Sequence, residues 1–283
     1  MTRDYMVHLL TVWAVLAVAA IAAELLLRQI RLVPFAAGGI LGVGAYAVVI
    51  TARATATPSW SGVLVAVIFG AVAGLLLGTP MLWLRGEAAV IAVIGAQVAL
   101  EEAFRNLTTI TNGDLGIFAI ASPASPNGLL TAAFVLLAVA IAVPVLLSRV
   151  RGGAAVKVAG YDRVLAAAIG HDPRSLLLIA TCITGSMIAA AGALHAYLIS
   201  FVEPRQFGFS TSLALVTVAA IGSGPWSSAA AAGVIVALPE IIRAAGMVGE
   251  QAASLREIVN SIAVLAVIAI RSGWFGEPDR AEA

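Results

Sequence analysis

Ala54 to Leu84 reads ATATPSWSGVLVAVIFGAVAGLLLGTPMLWL, without one charged side chain. About 20 apolar residues in a helix cross the hydrocarbon core of a bilayer, so this stretch spans one with residues left for its flanks. Leu32 to Ala52, Leu115 to Ser148, Ser175 to Val202 and Gln206 to Pro239 are uncharged runs of the same kind. With 61% hydrophobic residues, 11% charged and a mean hydropathy of +1.03, the chain lies outside the range of soluble domains, and its solvent is lipid.

In lipid every backbone polar group must be satisfied internally, which leaves helices as the spanning element for runs of this length. The pattern predicts an all-α fold, a polytopic transmembrane helix bundle of about eight spans with some helices broken. The spans fall near 6–27, 33–52, 61–84, 88–105, 128–148, 175–201, 212–243 and 257–271. No polar stretch is long enough to enclose a soluble core, so residues 1–283 read as one transmembrane domain. The net charge of +1 is dispersed along the chain and excludes a nucleic-acid surface. The single cysteine, Cys182, lies in an apolar run and reads as a small buried residue.

Tyr5 to Ala23 imitates a signal peptide, but Arg3 and Asp4 cancel before it. Arg28 and Arg31 follow it as they follow a retained span. The clearest loop, about 149–174, holds Arg149, Arg151, Lys157, Arg163 and Arg174 against Asp162 and Asp172, which places it in the cytoplasm. Alternation then puts Arg28, Arg31 and Arg85 on the cytoplasmic side and 53–60 and 106–127 outside. Whether 212–243 crosses once or contains a re-entrant piece, and so the side of the C-terminus, stays open.

Within the cytoplasmic loop, Tyr161 to Ile169 (YDRVLAAAI) predicts a short helix ended by Gly170. Asp172 follows as an N-cap and Pro173 as the first residue of the next helix. A short, stiff cytoplasmic helix suits a partner that must push on the spans. An amphipathic connector lying on the membrane surface reads equally well. Gly38-Gly39, Gly42 and Gly44 sit inside an apolar run, where close helix packing competes with irregular backbone lining a wet cavity. At Gly222-Ser223-Gly224-Pro225 a proline after two glycines predicts a real break.

The chain contains no G-x-x-x-x-G-K-[ST], no H-E-x-x-H and no G-x-S-x-G, and His8, His171 and His195 are scattered. It therefore offers no catalytic residues and no metal ligands, and any ATP drive must come from another subunit. Glu24, Glu87, Glu101, Glu102, Glu203, Glu240 and Glu257 all fall near predicted span ends, where solvated interfacial roles suffice. That scarcity of intramembrane acids weakens proton or sodium coupling.

Several segments, taken together and in order, resemble the permease subunits of the branched-chain amino acid ABC transporter family. Gly39-Ile-Leu-Gly-Val-Gly-Ala-Tyr46 is similar to its glycine-rich second-span signature, and Leu84-Arg85-Gly86 to the start of its next segment. Thr111-Asn-Gly-Asp-Leu-Gly-Ile117 is similar to an external stretch, and Ser200 to Ser210 with Pro204 and Phe207 to another. Leu165-Ala-Ala-Ala-Ile-Gly170 is similar to the coupling loop, and Leu238-Pro-Glu-Ile-Ile-Arg243 to the Leu-Pro-Glu ending. Two departures stand out. The glutamate usual before the coupling alanines is missing around Asp162, Arg163 and Val164. A Gly-Gly-x-Gly-Ser element appears as Ala219-Ala-Ile-Gly-Ser223.

The resemblance implies a multi-pass permease of the bacterial inner (cytoplasmic) membrane, not an enzyme, embedded in membrane lipid. Its partners would be a second permease subunit, two cytoplasmic ABC ATPase subunits that bind the ATP, and an extracytoplasmic solute-binding protein. It would hold no cofactor of its own. Tyr161, Asp162, Arg163, Leu165, Ala166, Gly170 and Asp172 would couple to the ATPases. Helix ends and exposed backbone at Gly38, Gly39, Gly42, Gly44, Gly222, Ser223 and Gly224, with Tyr46 of the second-span signature, would line the path of a branched-chain or other hydrophobic amino acid. The rival classes are an ion-coupled secondary transporter or channel working without ATPases, and a membrane enzyme or scaffold. Within the family, urea or short amides are alternative solutes.

Overall fold

The computed structural model describes residues 3–55, 60–84, 87–118 and 120–244. Contacts group the chain into two units, Met1–Ala232 and Gly233–Ala283; of the second, only the end of one helix, Gly233 to Ala244, is described. The first unit is built on α1 (Arg3–Glu24), which runs into a π-helical segment (Leu25–Ile30), then α2 (Ala37–Thr55), α3 (Ser61–Trp83) and α4 (Glu87–Asn106). A short arm follows: α5 (Thr108–Thr111), a 3-10 turn and strand β1 (Ile117–Phe118). The chain continues through α6 (Pro126–Arg149), α7 (Arg151–Tyr161), α8 (Arg163–Ala168) and α9 (Pro173–Ile199). Strand β2 (Phe201–Val202), a 3-10 turn (Pro204–Phe207), α10 (Phe209–Ile221) and α11 (Pro225–Ala244) complete it.

Among the described residues, five helical segments are long and apolar enough to cross a membrane: Arg3–Ile30, Ala37–Thr55, Ser61–Pro80, Pro126–Arg149 and Pro173–Ile199. The count of about eight is not reached among the described residues. The predicted span 88–105 forms α4, whose last turns carry Glu101, Glu102 and Arg105. Arg105 binds Glu101 at 2.7 Å, Glu102 at 3.2 Å and Asp114 at 3.6 Å, so that end of the helix is a charge cluster. The predicted span 212–243 is two helices, because α10 stops at Ile221 and Pro225 opens α11. The span 257–271 lies outside the described residues.

The core is α2, α3 and α9 packed through small residues. Lipid tails give helices no hydrophobic reason to associate, so close van der Waals packing must do it. Gly44 lies on the Ala189 carbonyl, Gly192 on the Leu41 carbonyl, and Gly70 and Gly74 on Gly185 and Thr181. Ser186 Oγ adds a hydrogen bond to the Val67 carbonyl at 3.1 Å. The outer faces of α3 and α6 leave Leu64, Ile68, Leu76, Val135 and Leu146 exposed, as lipid-facing helices should.

Two sets of contacts group the loops as the charge alternation requires. Arg53 Nη1 donates to the Ile110 carbonyl at 2.9 Å, and β1 pairs antiparallel with β2, Ile117 opposite Val202. These tie together the segments assigned outside. On the other side the Arg31 guanidinium stacks on Tyr161, and that of Arg174 lies 5.0 Å from the Trp83 ring centre.

Candidate functional site

The loop at about 149–174 is more ordered than a single short helix. Residues 151–161 form α7, which buries Ala155, Val156 and Ala159. The predicted helix Tyr161–Ile169 is thereby corrected: Tyr161 ends α7, Asp162 is extended (φ −145°, ψ 108°), and α8 begins at Arg163. Gly152-Gly153 masked α7 in the sequence; Gly153 is needed where α7 turns against the Leu147 carbonyl.

Both ends of α8 are closed by its own chain. Asp162 Oδ1 accepts from the N–H groups of Val164 (2.8 Å) and Leu165 (3.1 Å). At the other end Gly170 N–H donates to the Ala167 carbonyl at 3.0 Å and His171 N–H to the Ala166 carbonyl at 3.1 Å. These are the two bonds of a Schellman closure, with Gly170 at φ +86° in the left-handed region that suits glycine. Asp172 then caps α9, accepting from Arg174 N–H at 3.1 Å and from the Ser175 hydroxyl at 2.6 Å, with Pro173 in the first turn as the sequence predicts. The Ser175 hydroxyl, then the Arg174 amide, hold the Asp172 carboxyl below the usual carboxylate range.

The result is a rigid platform with a defined face. Ala166 is wholly buried, while Val164 (79% exposed), Leu165 and Ile169 present an apolar ridge outward. The platform is clasped to the first span. The Arg31 guanidinium lies 3.9 Å from the Tyr161 ring centre, and its hydrogen bond, then its charge, hold the Tyr161 phenol below the usual tyrosine range. Gly160 packs on the carbonyls of Gln29 and Ile30, an approach with no room for a side chain. Glu24 is 3% exposed and 3.8 Å from Arg28, so the expectation of a solvated Glu24 is corrected.

The second group of candidates lies on α2, which is one continuous helix. The N–H groups of its first turn are taken by distant side chains. Gly38 N–H donates to Ser212 Oγ at 2.9 Å, and Gly39 N–H to Gln97 Oε1 at 2.7 Å. Gln97 Nε2 in turn donates to the Phe207 carbonyl at 2.8 Å, tying α4 and the 3-10 turn to α2. Gly42 lies beneath Phe104 and Phe207, and the Tyr46 ring sits 4.8 Å from Phe104 and 6.2 Å from Phe207. Gln97, Ser212 and Phe207 were not singled out as site residues from the sequence. A lone glutamine between Ala88 and Leu100 was the available signal, since a buried amide in lipid needs partners for both ends.

Gly222, Ser223 and Gly224 form the turn between α10 and α11. The structure does not bring them against the α2 glycines; α10 links the groups, with Ser212 in its first turn and Gly222 at its end. Near the start of α2, a largely apolar cavity of about 30 Å³ is bounded by Leu26, Pro34, Ile40, Gly78, Val93 and Thr184. It has room for a water molecule and not for an amino acid.

Residues 5–268 match the family described as "Branched-chain amino acid transport system / permease component". The chain is similar to the high-affinity branched-chain amino acid transport system permease protein LivM of Escherichia coli, with 28% identity over 219 residues. That alignment covers 66% of this chain and 52% of LivM. It is also similar to LivM of Salmonella typhimurium, 27% identical over the same shares. The chain thus spans about half the length of the curated relatives it matches. A structure described as PsaBC from Streptococcus pneumoniae in complex with Fab aligns with a TM-score of 0.49 and 13% identity, over 95% of this chain and 92% of that one.

Proposed function

The chain belongs to the family of branched-chain amino acid transport system permease components, and on that premise we propose that it is a membrane-spanning subunit of an ABC importer for branched-chain or other hydrophobic amino acids. It pairs with a second permease subunit in the bacterial inner membrane, receives solute from an extracytoplasmic binding protein, and is driven by two cytoplasmic ATPases. ATP binds to those partners and not to this chain.

The observation that carries the coupling half of this reading is α8. A six-residue helix capped at both ends, with Ala166 buried and Val164, Leu165 and Ile169 outward, cannot absorb a push by bending. It passes the push along α7 to Arg31 and the π-helical end of the first span, and through Asp172 into α9. ATP-driven closure of the partners then shifts the spans between two arrangements through its differential contact with each.

For the solute path, the α2 glycines and the turn at Gly222 to Gly224 are the places where backbone can meet a zwitterion without ionised side chains. The Gly38 and Gly39 amides are held by Ser212 and Gln97 in this arrangement, and withdrawal of α10 and α4 frees them.

Purification of the tagged chain from its own host in mild detergent tests the reading. Two ABC ATPases and a second permease should accompany it and be lost when Leu165 and Ile169 are both changed to Asp. Recovery of the chain alone would contradict the importer.

A further inference from the structure

We propose that the break between α10 and α11 is the seat for the charged end of the solute, its carboxylate on the N-terminus of α11 and its ammonium on the last carbonyls of α10. The inference rests on the importer reading above and assigns a chemistry to one part of its path.

From Gln206 to Pro239 the sequence holds no ionisable residue, so this stretch itself can meet a charge only with dipoles. The break supplies dipoles of both signs. Pro225 opens α11 and Gly224 before it has no side chain, so the Trp226 and Ser227 amides find no acceptor among the described residues. The Ser227 hydroxyl is already used: it accepts from Ser223 N–H at 2.6 Å and donates to the Gly224 carbonyl at 3.0 Å. On the other helix, Gly222 N–H takes the Val218 carbonyl at 2.9 Å, and the carbonyls of Ala219, Ala220 and Ile221 receive no N–H among the described residues.

A helix N-terminus is common, and a second observation marks this one. Ser228 is wholly buried and its hydroxyl has no hydrogen-bond partner. Helical side chains lean toward the N-terminus, and this one reaches back to the turn, against Gly222, where a Cβ would overlap Ser228 Oγ. A buried hydroxyl without a partner is rare and needs a reason. A carboxylate seated on the Trp226 and Ser227 amides gives it one, as a third donor. Trp226, 71% exposed, offers the solute's aliphatic side chain a flat apolar neighbour.

The test uses thiol protection in cells carrying the whole transporter. Cys182→Ser removes the native thiol, and Ser223→Cys or, one turn along the exposed face, Ala230→Cys supplies a reporter. Both are modified with a methanethiosulfonate reagent in the presence of L-leucine or L-leucinamide, which lacks the carboxylate. The proposal expects leucine to slow modification and leucinamide not to. Ser228→Ala should raise the leucine concentration for half protection roughly tenfold or more, the value of a hydrogen bond to a charged group. Equal protection by leucinamide, or none by leucine at either reporter, overturns it. ATP-dependent leucine uptake, followed in the same cells, separates the two readings. Uptake without protection removes this seat and leaves the importer, whereas protection without ATP-dependent uptake removes the importer and leaves the seat.

Discussion

The Arg31 guanidinium lies 3.9 Å from the centre of the Tyr161 ring, joining the last residue of helix α7 to the first residue after the π-helical end of the first span. Arg31 itself is held in the left-handed region (φ 59°), its N–H on the Leu26 carbonyl. A π-helical segment is a common mark of a functional site in a helix, and this one is where the arm bearing α8 meets the bundle.

The contact has a titration signature. The hydrogen bond and charge of Arg31 depress the Tyr161 phenol, so ionisation stabilises the folded form at pH above the ordinary tyrosine value. That contribution is lost as pH falls through the depressed one. Arg31→Gln should move the Tyr161 titration upward, read as the difference in tyrosinate absorbance between each protein and its Tyr161→Phe version. An unchanged midpoint would deny the clasp.

Gly170 is the position at which α8 tolerates a side chain least, for backbone reasons alone. Nothing lies within 4 Å of where its Cβ would be, yet its φ is +86°. Gly170→Ala should destabilise the end of α8 by about 1–2 kcal/mol, and Gly170→Asn by less. Amide exchange across residues 163–171 should show faster opening in that order.

Asp172 gives the entry of α9 a pH dependence of the opposite kind to a histidine's. Its carboxyl is depressed by the Ser175 hydroxyl and the Arg174 amide, so its stabilisation is present above the ordinary carboxylate value and disappears as pH falls through the lower folded one. Exchange of the Arg174 and Ser175 amides should accelerate over that acid range in the wild type and lose the step in Asp172→Asn.

Glycines of the same apparent type should separate by packing. A Cβ at Gly44 meets the Ala189 carbonyl, while one at Gly95 meets nothing within 4 Å. Gly44→Ala should cost about 1–3 kcal/mol from overpacking, and Gly95→Ala should be neutral or stabilise α4 by up to about 1 kcal/mol. Thermal melting in the same detergent distinguishes them.

Gln97 holds three elements together with one amide. Gln97→Leu leaves the Gly39 N–H and the Phe207 carbonyl buried without partners, at about 1–3 kcal/mol each. Gln97→Glu keeps the acceptor and should fall between. Melting temperatures ranked otherwise would remove Gln97 as the tie between α4, α2 and the 3-10 turn.

Much of this architecture was legible because lipid leaves few alternatives. Uncharged runs marked four of the five spanning segments and the apolar stretch from Tyr5 to Ala23 the fifth, and Asp172, Pro173 and Gly170 marked helix ends through local bonds that need no tertiary partner. The break at Gly222 to Pro225 was equally local. What could not be read depended on distant contacts. Gly152-Gly153 hid α7, which folds because Ala155, Val156 and Ala159 find a surface to bury. Glu24 reads as interfacial in the sequence and is buried in the fold. The roles of Gln97 and Ser212 rest on partners 58 and 174 residues away in the chain. The residues proposed for coupling were legible as a local capped helix, but only the structure shows that Tyr161 belongs to the helix before it and faces Arg31.

The most direct test of the central claim is uptake of labelled leucine by cells carrying the intact transporter, with ATP depleted in one arm and the proton and sodium gradients collapsed in the other. The importer reading predicts that uptake stops on ATP depletion, survives collapse of the gradients, and is lost in the Leu165→Asp, Ile169→Asp double variant while the chain remains in the membrane. Uptake that persists without ATP and falls with an ion gradient would contradict it and make the chain an ion-coupled carrier.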